Sequence, residues 1–180
     1  MGVANGCGRR AINMGSEAPG AMLSWTTKPM ALPALENFAR WVGSHVGPGD
    51  VLALCGELGS GKTTFVRALA RALDLDDPEA VASPTYLLIV EHPGRIPLLH
   101  ADAYLPQKLR AFLEEGGIDY LLDRRAVVAV EWADRVASLL PPEALWLRLM
   151  PMASGERTIH LRCRVARPWA DPAAYTAENG

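Results

Sequence analysis

The sequence predicts an α/β fold: a three-layer α/β/α sandwich around a mixed sheet, with a parallel core and antiparallel edge strands. Three observations lead to this prediction. Short apolar runs alternate with segments of helical periodicity, as they do in α/β proteins. A glycine-rich stretch joins one apolar run directly to a helical segment. Two pairs of strand-like segments are separated only by short turn-rich spacers, which is typical of antiparallel strands.

The N-terminal elements are predicted to be a helix, a strand and a second helix. The first helix covers about residues 33–46. Its apolar residues recur at helical spacing: Leu35, Phe38, Val42 and Val46. Gly-Pro-Gly-Asp at 47–50 breaks this helix, and the apolar run VLALC at 51–55 is typical of a strand buried in a parallel sheet. The second helix begins at residue 62 and ends near 74–78.

The C-terminal elements are predicted to be strands with two short helical segments. Segments 85–91 and 96–102 flank a His-Pro-Gly-Arg spacer, which favours an antiparallel hairpin. A short amphipathic helix follows at 107–116, with three side chains facing inward: Leu109, Phe112 and Leu113. The remaining predicted elements are a buried strand at 126–132, a helix-compatible segment at 133–140, and two strands at 144–150 and 157–163.

Composition and charge exclude several functional classes. The chain has 180 residues, 49% hydrophobic and 21% charged, so a globular domain with a core of ordinary size is expected. A formal net charge of −2 does not indicate wholesale capture of a nucleic-acid backbone or an anionic membrane. Cys7, Cys55 and Cys163 are odd in number and show no CxxC pairing, so neither a disulfide framework nor a zinc site is expected. Cys55 lies in an apolar run and is predicted to be a buried core residue.

Both ends of the chain are predicted to lie outside the folded domain. Residues 1–21 lack the apolar block of a signal peptide and are expected to be a flexible leader, so that a later methionine could be the true start. The Pro- and Ala-rich residues 166–180 are expected to be an irregular tail, which leaves a single domain at 22–165. No apolar run approaches the ~20 residues that span a bilayer, so we expect a cytoplasmic protein with no membrane contact.

The stretch LCGELGSGKTTF matches the phosphate-binding pattern G-x-x-x-x-G-K-[ST] in the strand–loop–helix setting that the pattern requires. Its glycines allow positive φ and close approach to a phosphate at the positive end of a helix dipole. Lys62 supplies a point charge for the β- and γ-phosphates, and Thr63 offers a hydroxyl to Mg²⁺, which prefers oxygen. The predicted nucleotide-binding residues are Gly56, Glu57, Leu58, Gly59, Ser60, Gly61, Lys62, Thr63 and Thr64. The flanking elements favour this interpretation over a glycine-rich turn that matches by accident.

The nucleotide is expected to be ATP. Guanine-specific proteins with this loop use an Asn-Lys-x-Asp element, and no asparagine in this chain precedes a lysine. The loop by itself does not indicate which reaction follows nucleotide binding.

Two carboxylates and a threonine are candidates for chemistry beside the phosphates. Glu131 ends the apolar strand AVVAV, where proteins with this loop place an acid that holds Mg²⁺ or activates its water. Asp102 closes its own strand-like segment in a similar way, although an Asp that begins a turn would look the same. Thr85, in Ser-Pro-Thr-Tyr, could meet the γ-phosphate or Mg²⁺ as switch-loop threonines do, or simply begin a strand. With Lys62, these residues form the predicted catalytic set.

The segment HADAY places three polar side chains on one face of an extended chain, because side chains alternate along a strand. These residues are His100, Asp102 and Tyr104. Such a face at a strand end suits a functional site, but a solvated face would show the same pattern.

Five motifs occur in a specific order along the chain. They are Gly-Glu-Leu-Gly-Ser-Gly-Lys-Thr-Thr-Phe (56–65), Ser-Pro-Thr-Tyr (83–86), His-x-Asp-x-Tyr (100–104), Glu-Trp (131–132) and Leu-Leu-Pro (139–141). All but the first are weak alone. As an ordered set, they make the sequence resemble the bacterial TsaE-type ATPases of tRNA threonylcarbamoyladenosine biosynthesis, over about residues 25–160.

This resemblance implies a P-loop NTPase-like fold that binds and hydrolyses ATP with Mg²⁺. It also implies assembly with two partner proteins, a tRNA-modifying threonylcarbamoyl transferase and its inactive paralogue, so that tRNA is reached indirectly. By position, it implies that Lys62 and the loop hold phosphates and that Thr63 and Glu131 hold Mg²⁺. Thr85 matches a switch-like threonine, and Asp102 matches the acid of the His-x-Asp motif.

The resemblance is looser at the periphery of the site. It places Trp25–Lys28 near the adenine and brings Gly155 toward the nucleotide. The family usually has an arginine after the motif tyrosine, where this chain has Leu105, and the next arginine along is Arg110. Glu-Trp is often followed by Pro-Glu in the family and is followed here by Ala-Asp, which retains a carboxylate.

Two other functions stay open at this point. A small P-loop kinase would need an acceptor pocket and an arginine-bearing lid, and Arg124-Arg125 is poorly placed for one. A nucleotide-dependent binding module would use ATP only to fix a docking conformation. Within the ATPase interpretation, either Glu131 or Asp102 could orient the attacking water.

Overall fold

The computed structural model describes residues 22–122 and 124–164, and strands within these ranges form one sheet. The strands are β1 (Leu23–Thr26), β2 (Val51–Cys55), β3 (Ile89–His92), β4 (Leu98–Asp102), β5 (Val127–Glu131), β6 (Leu145–Pro151) and β7 (Arg157–Cys163). Their order is β1-β7-β6-β2-β5-β4-β3. Strands β6, β2, β5 and β4 are parallel, whereas β3, β7 and β1 run antiparallel to their neighbours. The predicted parallel core with antiparallel edges is therefore confirmed.

Helices cover both faces of this sheet, which confirms the three-layer arrangement. One face carries α1 (Leu32–His45) and α2 (Lys62–Ala72), and the other carries α3 (Pro106–Phe112), α4 (Ile118–Leu121) and a 3₁₀ segment at Ala133–Leu139. Residues of β2 alternate between the two cores: Leu52 and Leu54 pack with α1 and α2, and Val51, Ala53 and Cys55 pack with α3 and the 3₁₀ segment. In the ranges that the structure covers, every helix is too short or too polar to cross a membrane.

The strand register brings three strand ends together at one edge of the sheet. Leu54 of β2 lies beside Glu131 of β5, and Glu131 lies beside Asp102 of β4. Parallel strands end at the same edge, which is where α/β sheets bind ligands. The loop after β2 and the two predicted carboxylates are therefore neighbours.

The structure differs from the sequence-based expectation at the first strand and at the hairpin. β1 was not predicted, because a four-residue edge strand with alternating exposure has no distinctive sequence pattern. The hairpin is confirmed, but its first strand begins at Ile89. Residues 85–88 form a turn instead, closed by a 2.8 Å hydrogen bond from Leu88 N to Pro84 O.

The helix predicted at 107–116 is only partly α-helical. α3 ends at Phe112 and continues directly into a π-helical turn, Leu113–Gly117, in which Gly116 has a φ of 107°. Phe112 is 38% exposed rather than inward, because its ring packs over Gly117 at the end of that turn. The leader at 1–21, which contains Cys7, and the tail at 166–180 lie outside the described residues.

Candidate nucleotide site

The chain between β2 and α2 forms a tight loop built on glycines of positive φ. Gly56, Gly59 and Gly61 have φ of 143°, 79° and 104°, as a phosphate loop requires. At Gly56 a Cβ would come within 2.6 Å of the carbonyl oxygen of Leu149, so a larger residue would displace that strand. Gly61 is the left-handed residue from which α2 begins. The loop therefore meets the N terminus of α2, where main-chain N–H groups and the helix dipole favour an anion.

Lys62 is 5% exposed and lies directly over this loop. Its Nζ donates to the carbonyl oxygens of Gly56 and Glu57, both at 2.8 Å, and lies 3.9 Å from the ring centroid of Trp132. Burial lowers the pKa of Lys62, and the neighbouring carboxylates, Glu131 foremost, oppose that decrease. The ammonium is therefore held at the loop by carbonyls, an aromatic face and nearby negative charge.

Glu131 is the point where the loop meets the neighbouring strand. Its carboxylate is 2% exposed and accepts a hydrogen bond from Thr63 Oγ1, which lies 2.8 Å from Oε1 and 3.0 Å from Oε2. His100, fully buried on β4, lies on the same carboxylate with Nε2 3.0 Å from Oε1. The structure thus joins Thr63 and Glu131, the two residues predicted to hold a metal, although 68 positions separate them.

Asp102 holds the segment that contains Thr85. Asp102 is fully buried, and its Oδ2 accepts hydrogen bonds from Thr85 Oγ1, at 2.9 Å, and from Ser83 Oγ. Its Oδ1 accepts the main-chain N–H of Tyr104 at 2.7 Å. Asp102 therefore accepts from the N–H two residues further on, as an Asp that begins a turn does, and also anchors the Ser-Pro-Thr-Tyr segment. Its part in the chemistry stays a prediction. Thr85 lies in a turn beside the site and does not begin a strand.

One residue of this region, Arg135, was missed by sequence reasoning. Its guanidinium carbon lies 4.4 Å from the ring centroid of Trp132 and 5.1 Å from that of Tyr104. Its Nη1 donates to the carbonyl oxygen of Tyr104. The sequence feature that could have identified Arg135 is the spacing Trp-x-x-Arg directly after a strand end. In a 3₁₀ turn, side chains at i and i+3 lie one above the other, so this spacing predicts that the arginine stacks on the tryptophan.

The peripheral predictions fall at the same edge of the sheet. Leu105 immediately precedes α3, and Arg110 donates from Nη2 to the carbonyl oxygen of Arg135 at 3.4 Å. The segment after β1 runs beside β7, with Thr27 N bonded to Ile159 O at 3.0 Å. Gly155, with φ of 84°, lies in the turn between β6 and β7. The place of the first segment near the adenine, and the approach of Gly155 to the nucleotide, stay predictions.

The chemistry available at this site comes from oxygen and nitrogen donors. Cys55 precedes the loop, and its burial, together with Asp134, raises the pKa of the thiol to about 11, so it stays protonated at neutral pH. Its predicted place in the core is confirmed, at 2% exposure. Among the described residues, no group of three or more His, Cys, Asp or Glu side chains could form a metal cage.

Comparison with known proteins gives one consistent family. The family model for "Threonylcarbamoyl adenosine biosynthesis protein TsaE" matches residues 31–159. The TsaE protein of Treponema pallidum is 36% identical over 127 residues, which are 69% of this chain and 92% of that protein. The TsaE protein of Bacillus subtilis is 35% identical over 139 residues, 76% of this chain and 83% of that protein. A crystal structure of Bacillus subtilis YdiB superposes with a TM-score of 0.65 at 26% identity, covering 91% of this chain and all of the other.

Proposed function

The chain belongs to the TsaE family of threonylcarbamoyl adenosine biosynthesis proteins, and from this membership we propose that it is an ATPase. It binds and hydrolyses Mg-ATP as a subunit of the bacterial assembly that forms N6-threonylcarbamoyladenosine in tRNA. Its partners are the threonylcarbamoyl transferase and the inactive paralogue of that transferase. The observation that carries this proposal is the contact of Thr63 with Glu131, which joins a phosphate loop to a strand-end carboxylate.

The loop and Lys62 bind the phosphates. Main-chain N–H groups at the start of α2 face the β-phosphate, and the Lys62 ammonium bridges the β- and γ-phosphates. Such preorganised donors stabilise the charge that develops as the γ-phosphoryl group transfers. Gly56, with its backbone close to β6, allows this approach.

Thr63 and Glu131 fit a magnesium site. Both present oxygen, the donor that Mg²⁺ prefers, and they meet beside the phosphate loop. Mg²⁺ is commonly held by one or two protein oxygens with phosphate and water completing its shell, which agrees with the absence of a larger cluster among the described side chains. When bound, Mg²⁺ neutralises charge on the β- and γ-phosphates.

With Glu131 assigned to Mg²⁺, Asp102 is the other predicted acid at this sheet edge and is the one we assign to orienting the attacking water. Asp102 also anchors Thr85 in a turn at the same edge. The water oxygen bonds to the γ-phosphorus as the bond to the bridging oxygen breaks, and ADP leaves with the electron pair. The proton of the water moves toward Asp102.

The structure gives no support to a kinase lid at Arg124-Arg125. Arg124 lies beside Gly49, before β2 begins, and therefore at the opposite edge of the sheet from the phosphate loop.

Phosphate release separates the remaining alternatives. The purified full-length chain should hydrolyse Mg-ATP slowly alone and faster with the transferase and its paralogue. Transfer of phosphate to a metabolite, or ATP binding without hydrolysis even with both partners, would contradict the proposal.

A further inference from the structure

The residues after Glu131 turn an arginine back toward the site. Trp132 adopts a left-handed conformation with φ of 55°, and Arg135 N donates to Trp132 O at 3.0 Å. This 3₁₀ geometry places the two side chains one above the other. The guanidinium of Arg135 consequently stacks on the indole, with its central carbon 4.4 Å from the ring centroid.

The same indole also contacts the phosphate-loop lysine. Lys62 Nζ lies 3.9 Å from the Trp132 ring centroid, so two cations approach one aromatic ring. Aromatic faces attract cations, which offsets part of the repulsion between them. Tyr104, whose ring lies 5.3 Å from that of Trp132, extends this aromatic surface, and its carbonyl oxygen accepts from Arg135 Nη1.

The guanidinium of Arg135 retains donors for an anion. Within residues 22–122 and 124–164, no carboxylate lies within ion-pair distance of Arg135, and the side chain is exposed. Its hydrogen bond to Tyr104 O uses one N–H, whereas a guanidinium carries five. Leu105, which follows Tyr104, adds no charge. Because Arg135 and Lys62 contact the same indole, a guanidinium without an ion pair suits an anion that also contacts Lys62.

We propose that Arg135 is a catalytic arginine supplied in cis, which binds the γ-phosphate of ATP and stabilises its charge in the transition state. The proposal rests on the proposed ATPase function and deepens it. A guanidinium forms two parallel hydrogen bonds to phosphate oxygens, and arginines that serve this purpose in other phosphate-loop enzymes act on the transition state rather than on binding. Arg135 therefore contributes to the rate far more than to affinity for ADP.

The test uses the full-length chain with both partner proteins. Arg135→Ala and Arg135→Lys are compared with wild type and with Arg95→Ala, an exposed residue that pairs with Asp74 away from the site. We expect both Arg135 variants to release phosphate about 10²-fold more slowly, because the loss of one transition-state donor costs about that much. Arg95→Ala should hydrolyse ATP at the wild-type rate.

A second readout does not depend on turnover. Calorimetric titration with Mg-ADP, with and without aluminium fluoride, compares the ground state with a transition-state mimic. Both Arg135 variants should bind Mg-ADP as wild type does and lose the tightening that fluoride gives. Guanidinium ion added at millimolar concentration should restore hydrolysis in Arg135→Ala, whereas methylammonium should not. If Arg135 served only to hold Tyr104 through its carbonyl oxygen, free guanidinium would not restore the rate.

The outcomes separate this proposal from the one on which it rests. If wild type hydrolyses ATP and Arg135→Ala matches its rate, or keeps the fluoride tightening, Arg135 is not catalytic and the ATPase function stands. If wild type neither hydrolyses ATP nor tightens with fluoride in the presence of both partners, both proposals fail. Arg135→Lys keeps a charged side chain of similar length, and its hydrolysis rate and fluoride response test the same role if the alanine variant does not fold.

Discussion

Replacing Glu131 by glutamine perturbs the proposed metal site most directly. The carboxylate accepts hydrogen bonds from Thr63 and His100 at 2.8–3.0 Å, and glutamine keeps its volume without its charge. A hydrogen bond to a charged group contributes about 1.5–3 kcal/mol and a neutral one about 0.5–1.5, so weakening two costs about 2–3 kcal/mol. The unfavourable burial of the charge disappears at the same time. We expect the free energy of unfolding to fall by no more than about 2 kcal/mol.

The effect of Glu131→Gln on function should exceed its effect on stability. Affinity for ATP without Mg²⁺ should stay unchanged or increase, because a negative charge beside the phosphates is removed. Affinity for Mg²⁺ in the nucleotide complex should fall at least about tenfold, as it does when groups that support a metal are lost. Hydrolysis should slow by about 10²-fold or more.

Isothermal titration with ATP in EDTA, then with Mg²⁺ added, measures these affinities, and phosphate release gives the rate. Glu143→Gln is the matched control, since Glu143 is exposed. It lines a pocket with Gly49 and Asp50, which precede β2 and therefore lie at the opposite edge of the sheet from the phosphate loop. Wild-type hydrolysis with unchanged Mg²⁺ dependence in Glu131→Gln would refute the assignment of Glu131 to the metal.

Three further predictions test the loop and the strand before it. Lys62→Ala should abolish hydrolysis and weaken ATP binding with or without Mg²⁺ in calorimetry, because the point charge for the phosphates is lost; wild-type affinity in this variant would contradict that role. Gly56→Ala should lower the melting temperature and ATP affinity together, since its Cβ would lie 2.6 Å from Leu149 O, whereas Gly47→Ala, with nothing within 4 Å of the added Cβ, should change neither. Because the pKa of Cys55 is raised from 9.0 to about 11, the folded thiol stays protonated where the unfolded one ionises, so stability is lost as pH rises from about 9 to about 11. Urea denaturation at pH 8 and pH 11 should show that Cys55→Ala removes up to about 3 kcal/mol of this pH dependence, and an unchanged pH dependence would exclude the burial effect.

The sequence predicted those parts of the site whose geometry is local. Strand 51–55 and the start of α2 at residue 62 match the structure, because the glycine spacing determines the path between them. Glu131 and Asp102 were located correctly at strand ends, since a charged residue directly after an apolar run marks the end of that run, although both carboxylates are buried. Their adjacency depends on the pairing of β4 with β5, which the sequence only implied through the fold class.

Features that depend on distant contacts were not predictable. β1 pairs with β7, more than 130 positions away in the sequence. The four residues of β1 by themselves show no pattern that indicates a strand. The burial of His100 follows from its place between β3 and β5, whereas alternation alone fits a solvated face equally well. Arg135 reaches Trp132 and Tyr104 only because Trp132 adopts a left-handed turn, a conformation that bulky residues rarely favour.

The central claim is tested most directly by the formation of threonylcarbamoyladenosine in tRNA over several turnovers, in a reconstituted system with the transferase, its paralogue and the threonylcarbamoyl donor. We predict that product exceeds one equivalent of transferase only when this chain and hydrolysable Mg-ATP are both present, and that Lys62→Ala does not replace the wild-type chain. Equal product with and without the chain, or full support by a non-hydrolysable ATP analogue, would contradict the proposed role of ATP hydrolysis.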